Sequence, residues 1–400
     1  MEEKKITPKA RISSIDALRG FALFGILLVH CMEFFDLTFF PKLDSPFWQK
    51  VDTVVYDTIF LLFAGKSYAI FSLLFGLSFF MQMDSQAEKG IDFRWRFLWR
   101  LTLLLVIGYI NGLIYMGEFF LVYAILGVFL VPLFKVPTKW LILIAVILFL
   151  QIPDIYAFTS ALYGGEMSKP SSLQIYMGGL YRECAKIFIN GSLSEVLQYN
   201  LWKGQFAKLL WVFNATRYPQ LIGLFVLGLI IGRYGIHKSE EKIVKYSKKV
   251  LPYSIAFFVL CYAIINILPH IGLERLALRA GRTLFKNYAN LGMMLMYISG
   301  FMLLYYKTKA VKVMDYLAPV GRMSVTSYMT QSLIGVSLFY GFGLSLATQL
   351  SFLQSVFVGL AIYALQLLFS NFWIKRYYYG PLEWLWRSAT WFRKFPMKRT

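Results

Sequence analysis

The sequence predicts an all-α, polytopic integral membrane bundle of about 10 transmembrane helices, and three observations carry that prediction. Of its 400 residues 58% are hydrophobic and only 16% charged, more apolar surface than a soluble domain of this size can solvate. The apolar residues gather into runs of roughly 20, the length that crosses a bilayer. Lysine and arginine give a net charge of +20, but they fall in short clusters between those runs rather than in one patch interleaved with aromatics. That pattern is a topology signal and excludes a nucleic-acid partner.

The elements follow in order. The first run, 15–35, is too long for the apolar region of a signal peptide and no small-residue cleavage site follows it, so it is expected to remain as a helix. Further spans are expected at 60–83, 97–116, 118–134, 139–155, 219–236, 250–268, 288–306, 321–341 and 351–374. Ten spans put both termini on one side, and the positive-inside rule makes that side cytoplasmic. Lys4, Lys5, Lys9 and Arg11 precede the first span, Lys89, Arg94, Arg96 and Arg100 flank the third, and Lys135, Lys238, Lys307 and the tail continue the alternation. The domain organisation is therefore a cytoplasmic segment 1–14, a membrane domain 15–374 and a basic, aromatic cytoplasmic tail 375–400. Within the membrane domain, 156–218 is expected to be an extracytoplasmic connection, whose stretch "KLLWVFNAT" (208–216) suits an interfacial or re-entrant helix. The outer connection 269–287 departs from the charge rule with Arg275, Arg279, Arg282 and Lys286. Cys31, Cys184 and Cys261 lie far apart without metal-like spacing, so neither a disulfide framework nor a metal site is expected.

The first span, "DALRGFALFGILLVHCMEFF", carries Asp16, Arg19, His30 and Glu33. At about 100° per residue, Arg19 and His30 differ by about 20° around the helix, with Asp16 about 60° to one side and Glu33 about 40° to the other. All four share one face. Along the axis Arg19 and His30 are about 16 Å apart. Such groups cost roughly 2.5–3.5 kcal/mol each at the centre of a bilayer and face a protein interior or a wet cavity. Asp16 and Arg19 fit an ion pair at the membrane surface as well as they fit a binding site. His30, the only histidine inside an expected span, has Glu33 at i+3 to orient its ring, which favours a functional role. Lys66 is a second intramembrane cation, suited to an anionic acceptor or an oxyanion, or to snorkelling from a broken helix. Arg322 begins the Ser- and Thr-rich ninth span, and Glu383 and Arg387 in the tail are further candidates to frame a site at the inner face.

The stretch "RISSIDALRGFALFGILLVH" resembles the amino-terminal signature of the YeiB-like membrane proteins, domain of unknown function 418, in the transmembrane acyltransferase superfamily. Relatives of that family include heparan-alpha-glucosaminide N-acetyltransferase and the acyltransferase-3 proteins. "GKSYAIFSLLFG", "GEFFLVYAILG", "GLFVLGLIIGRYG", "GRMSVTSYMTQSLI" and "GPLEWLWR" are similar to further family blocks, in family order. The resemblance implies an enzyme that accepts an acyl group, typically acetyl, from cytoplasmic acyl-CoA and passes it to a hydroxyl or amine acceptor on the far side, such as a glycan. It also implies a plasma-membrane location, from the family's bacterial members.

On that reading Asp16, Arg19, Arg100 and Arg322 belong to donor binding at the inner face, Lys66 and Glu118 to substrate binding, and His30, Glu33 and Asn111 to catalysis. The histidine acts as general base or as an acyl-accepting nucleophile; the sequence leaves both open. Position 30 is usually asparagine in the family, and the family's third-span histidine falls on Asn111, with its following aspartate on Glu118. Because Asn111 stands eleven residues after Arg100, it is expected to share a cavity with His30. A transporter or flippase without acyl chemistry is the alternative, weakened by the absence of paired halves with matching broken helices.

Overall fold

The computed structural model describes residues 12–37, 40–164 and 172–399; Lys4, Lys5, Lys9, Arg11 and most of the expected amino-terminal segment lie outside the described residues. The chain is helical almost throughout. In order the helices are α1 Ser13–Met32, α2 Pro46–Phe63, α3 Ser67–Ala87, α4 Arg94–Ile114, α5 Phe120–Gly127, α6 Leu130–Leu133, α7 Thr138–Phe149, α8 Ile152–Leu162, α9 Ser172–Asn190 and α10 Leu193–Tyr199. A π-helical turn, Asn200–Gly204, leads into α11 Gln205–Asn214, followed by α12 Arg217–Arg233, α13 Glu240–Ile267, α14 Arg275–Lys307, α15 Val311–Met314, α16 Ala318–Arg322, α17 Ser324–Phe339, α18 Phe352–Arg376 and α19 Pro381–Trp391. Among the described residues extended pairing is limited to an isolated bridge between Tyr377 and Lys398.

Among the described residues seven helical segments are long and apolar enough to cross a membrane, counting 46–87 and 138–162 as single interrupted spans, and α10–α11 with α12, bent by 78°, makes an eighth. The expectation of ten exceeds this, and the difference has a local cause. The run 118–134 breaks after Gly127 into α5 and α6, of 8 and 4 residues, and α17 stops at 16 residues where Tyr340 turns extended. These short helices line the interior, where their polar groups find partners. The expected span 60–83 is instead the lower part of a longer helix interrupted at Ala64–Lys66, where Gly65 takes φ +85°. The residues 275–287, expected as a loop, extend α14, so Arg275, Arg279, Arg282 and Lys286 sit on a helix. Most of the expected connection 156–218 is likewise helical, and "KLLWVFNAT" ends at the sharp bend at Thr216, φ 49°.

Packing fixes the order of the layers. The α3–α12 crossing is among the most extensive, and it depends on glycine: a Cβ on Gly76 would overlap the carbonyl oxygen of Phe225, and one on Gly228 would overlap that of Leu73. Small residues let two backbones meet where no hydrophobic force separates helices from lipid. α1 runs antiparallel to α18, with Phe34 stacked on Phe352 at one end and Tyr363 Oη donating to the Gly20 carbonyl nearer the other, 2.8 Å. The start of α1 and the end of α18 therefore share one end of the bundle. The same end gathers Arg19 against Ser78 of α3, Lys238 against Asp84, and Lys307 against Glu240. Arg19, Lys238 and Lys307 thus lie toward one pole.

The tail was expected mainly as an interfacial anchor, but α19 docks on protein. Trp386 Nε1 donates to the Arg100 carbonyl at 3.0 Å, Trp99 Nε1 to that of Ala389 at 3.1 Å, and Arg96 to that of Thr390 at 3.0 Å. These contacts tie α19 to α4, while Arg387 lies over Tyr379 and Phe395 and Leu385 and Phe392 stay exposed.

Candidate functional site

Two polar regions lie along α1, one toward each end. At the carboxy-terminal end, His30 occupies the last turn of the helix, and the chain then takes three successive left-handed residues, Phe34, Phe35 and Asp36, at φ 46°, 56° and 73°. Left-handed conformations in bulky residues are costly and persist only where the surroundings enforce them. Here Phe34 and Phe35 are fully buried, and the turn returns Asp36 beneath the helix end. His30 Nδ1 lies 2.7 Å from Tyr115 Oη and 3.9 Å from Glu33. Nε2 is buried with no hydrogen-bond partner among the described residues. The rings of Phe35, Tyr115 and Tyr328 surround the imidazole at centroid distances of 5.7, 5.3 and 6.4 Å.

Tyr115 ends α4, its N–H donating to the Asn111 carbonyl at 3.0 Å. Asn111 donates its side-chain amide to Glu118 and, at 3.2 Å, to Ser332 Oγ of α17. Glu118 in turn accepts from the N–H of Phe120 at the start of α5. His30, Glu33, Asn111 and Glu118 therefore belong to one network, with Tyr115 as the link between His30 and Asn111. Lys208 of α11 completes it. Its ammonium sits over the Phe119 ring at 4.4 Å and senses the charges of Asp36, Glu33 and Glu118. Asp36 has a buried carboxylate oxygen without a partner among the described residues; burial pushes its pKa up, and Lys208 pulls it back.

At the other end, Arg19 donates to Asp16 at 2.7 Å and to Ser78 Oγ at 2.5 Å. Gly321 packs on the backbone of Asp16, where a Cβ would not fit, and so sets Arg322 beside this pair. Arg100 lies 3.5 Å from the centre of the Trp386 ring and 3.5 Å from Thr390 Oγ1. Glu383 accepts from the N–H groups of Val325 and Thr326 at 2.6 and 3.0 Å, and from Thr326 Oγ1 at 2.7 Å, capping α17 from outside the helix. Burial raises the Glu383 pKa, while those hydrogen bonds lower it. Arg387 lies over Tyr379 and Phe395, at 5.1 and 4.6 Å, with a buried Nε that has no partner among the described residues. Asp16, Arg19, Arg100 and Arg322 are thus gathered at this pole with Glu383 and Arg387.

Lys66 joins neither group. It is buried at the break between α2 and α3, its Nζ 3.5 Å from the Phe60 carbonyl, and its neighbourhood is formed by α12 and α14. Sequence reasoning missed Tyr115, Asp36, Lys208 and Tyr328. Asp36 lay one residue beyond the expected span, the tyrosines were hidden among 26 in the chain, and Lys208 sat in a stretch read as peripheral. A lysine three residues before "WVFNAT" in an otherwise apolar segment was the available signal.

Two family models match the chain. Residues 11–171 match the one described as heparan-alpha-glucosaminide N-acetyltransferase, catalytic, and residues 231–393 match the protein of unknown function DUF418. The chain is 27% identical over 97% of its length to YxaH of Bacillus subtilis (strain 168), spanning 96% of that protein. It is 26% identical over 94% of its length to YeiB of Escherichia coli (strain K12), spanning 95%. Both relatives are described as uncharacterized, and no solved structure matches the chain. The chain is thus similar along nearly its whole length to YeiB, with a match to the 418 domain in its carboxy-terminal half and to the acetyltransferase catalytic model in its amino-terminal half.

Proposed function

We propose that this protein is a plasma-membrane acyltransferase that moves an acyl group, acetyl in the simplest case, from cytoplasmic acyl-CoA to a hydroxyl or amine of an acceptor outside the membrane, such as a cell-envelope glycan. The observation that carries the reading is His30: one ring nitrogen is held by Tyr115, and the other is buried and without a partner among the described residues. The similarity of residues 11–171 to an acetyltransferase catalytic model supports the same class of chemistry. With both termini cytoplasmic, the pole of Arg19, Arg100 and Arg322 faces the cytoplasm, and guanidinium groups there suit the phosphates of CoA by charge-assisted hydrogen bonds. An extended pantetheine arm covers a length comparable to the ~16 Å between Arg19 and His30.

In this mechanism Nδ1–H donates to Tyr115 Oη, which leaves the lone pair on Nε2. Nε2 takes the acceptor's proton as its oxygen or nitrogen attacks the thioester carbonyl carbon. The new bond to carbon forms, the carbon–sulfur bond breaks, and the imidazolium returns its proton to the CoA thiolate. Alternatively Nε2 itself attacks the carbonyl carbon, the carbon–sulfur bond breaks, and the Nδ1 proton goes to the departing thiolate; the acyl-imidazole then passes its acyl group to the acceptor, whose proton returns to the ring. Glu33, Asp36 and Glu118 supply negative potential that favours the imidazolium of the first route, and Asn111 fixes Glu118 in place.

Calorimetric titration of detergent-purified protein with acetyl-CoA tests the donor assignment. Saturable binding lost in Arg19→Gln and kept in His30→Ala is the expected result. Absence of binding to folded protein overturns it and favours a carrier without acyl chemistry.

A further inference from the structure

Beyond the His30 network lies a second polar region that the mechanism does not use. Lys66 sits where α2 and α3 are interrupted, next to Gly65, whose backbone packs on the Asn290 side chain. It is 3% exposed, and among the described residues its side chain makes one hydrogen bond, the long contact with the Phe60 carbonyl at 3.5 Å. Arg217, at the start of α12, and Lys286, on α14, are close enough for their charges to act on it. Arg217 donates to Tyr68 Oη at 3.0 Å and to Asn287 Oδ1 at 2.9 Å, and its Nε is buried without a partner among the described residues. Asn287 donates onward to Asp154 at 2.7 Å, and Thr216 donates to the same carboxylate. Asp154 is thereby occupied and reaches Arg217 only through an amide.

Among the described residues no carboxylate comes within ion-pairing distance of Lys66, Arg217 or Lys286. Three cationic side chains therefore share one carboxylate at a remove, a formal excess of two positive charges, with Lys66 buried and Lys286 exposed. Uncompensated buried charge costs several kcal/mol, and intramembrane cations ordinarily find a counterion. Their exposure is graded from the buried Lys66 through half-buried Arg217 to exposed Lys286, which describes an entrance with a cationic floor.

We propose that Lys66, Arg217 and Lys286 form a binding site for a phosphate monoester. A phosphate monoester carries about −1.5 to −2 charges near neutral pH, which matches the excess where a single carboxylate would not. Aromatic rings lie between the site and the His30 network, Tyr68 stacked on Phe119 at 5.9 Å and Phe119 edge-on to Trp211 at 6.3 Å. If the transferase reading above holds, the phosphate belongs to the acceptor; the binding site itself does not depend on that reading.

The test is the unfolding midpoint of full-length protein in neutral detergent. In one arm sodium phosphate replaces sodium chloride at constant ionic strength; in the other, phosphatidic acid replaces phosphatidylcholine in mixed micelles. A saturable rise in the parent, weakened at least ten-fold in Lys66→Gln and in the rim variant Lys286→Gln, is expected. A response in the first arm identifies a soluble phosphate, and a response confined to the second a lipid-borne one. In chloride alone, Lys66→Gln is expected to unfold no lower than the parent, because it relieves repulsion; a structural lysine would give a lower midpoint. The inference is overturned if neither anion raises the parent's midpoint, or if Lys286→Gln, which lies on an exposed surface, responds like the parent. Acetyl-CoA titration of Lys66→Gln, expected unchanged, separates failure of this site from failure of donor binding.

Discussion

The two polar networks on either side of Tyr68 and Phe119 differ in how their charge is balanced. Around His30 a single ammonium, Lys208, is surrounded by the carboxylates of Asp36, Glu33 and Glu118. Around Lys66 three cations share one carboxylate, held at a distance by Asn287. The first network is rich in negative charge and anchored by hydrogen bonds, so a positive charge that develops on an imidazole meets dipoles and ions already in place. The second is incomplete until an anion arrives. A polar group inside a membrane bundle is thus informative less by its presence than by whether its partner is in the same chain.

The largest effect that would break this comparison is at His30. Replacing it with alanine removes the group that handles the proton or the acyl chain, and acyl transfer is expected to fall about 10²–10⁴-fold, with acetyl-CoA binding retained. Steady-state rates against a panel of hydroxyl and amine acceptors measure it, and a variant with full activity would move the chemistry elsewhere. Next comes the balance itself. Asp36→Asn and Lys208→Met each leave an unmatched charge or an unpartnered polar group, so each is expected to destabilise the fold, and the double variant by less than the sum. Coupling of roughly 0.5–3 kcal/mol in a denaturation cycle is the expected size. Additive effects would show that Lys208 is not the counterion of this network.

Tyr115→Phe sharpens the contrast more gently. It deletes one hydrogen bond to Nδ1, a contact worth about 0.5–1.5 kcal/mol, and keeps the ring that packs on His30 and Phe35. The expected outcome is a decrease of about ten-fold or less in turnover, with little change in acetyl-CoA affinity or unfolding midpoint. A collapse of the fold instead would mark Tyr115 as structural.

Most of the architecture was legible because bilayer thickness imposes a length on apolar runs and a side on cations. The helical class, the extent of α1, α4 and α18, and the shared face of Asp16, Arg19, His30 and Glu33 all follow from periodicity. The convergence of Asn111 with His30 was suggested by an eleven-residue spacing, whereas Glu118 entered only through the family resemblance. What the sequence hid were the interruptions. A break at Gly65, a bend at Thr216 and left-handed turns at Phe34 to Asp36 depend on tertiary packing, and each delivers a charged side chain to the interior: Lys66, Arg217 and Asp36. Short helices such as α5 and α17 look like full spans by composition, because a helix lined by protein can be as apolar as one lined by lipid. Lys208 escaped for the same reason, as its carboxylate partners come from segments more than 80 residues away.

The opposite pole offers the smallest and most discriminating test, because there a carboxylate is held directly by backbone N–H groups, with Arg100 acting on it only at a distance. Glu383 caps the start of α17 through the N–H groups of Val325 and Thr326, and burial holds its pKa above the ordinary value of 4.5. A raised carboxyl pKa means that the folded protein holds its proton more tightly than the unfolded chain. The resulting stabilisation is complete below the unfolded value and is lost as pH rises through the folded one. Glu383→Gln keeps an acceptor for the two N–H groups and cannot ionise, so in that pH window the parent is expected to lose stability relative to the variant. The amplitude should stay within about 1 kcal/mol, the scale of a helix cap. Unfolding midpoints of both proteins at successive pH values give the difference curve. A curve of opposite sign, with the parent gaining as pH rises, would mean that the helix start stabilises the carboxylate more than burial penalises it, and this pole would then belong with the self-compensated network around His30.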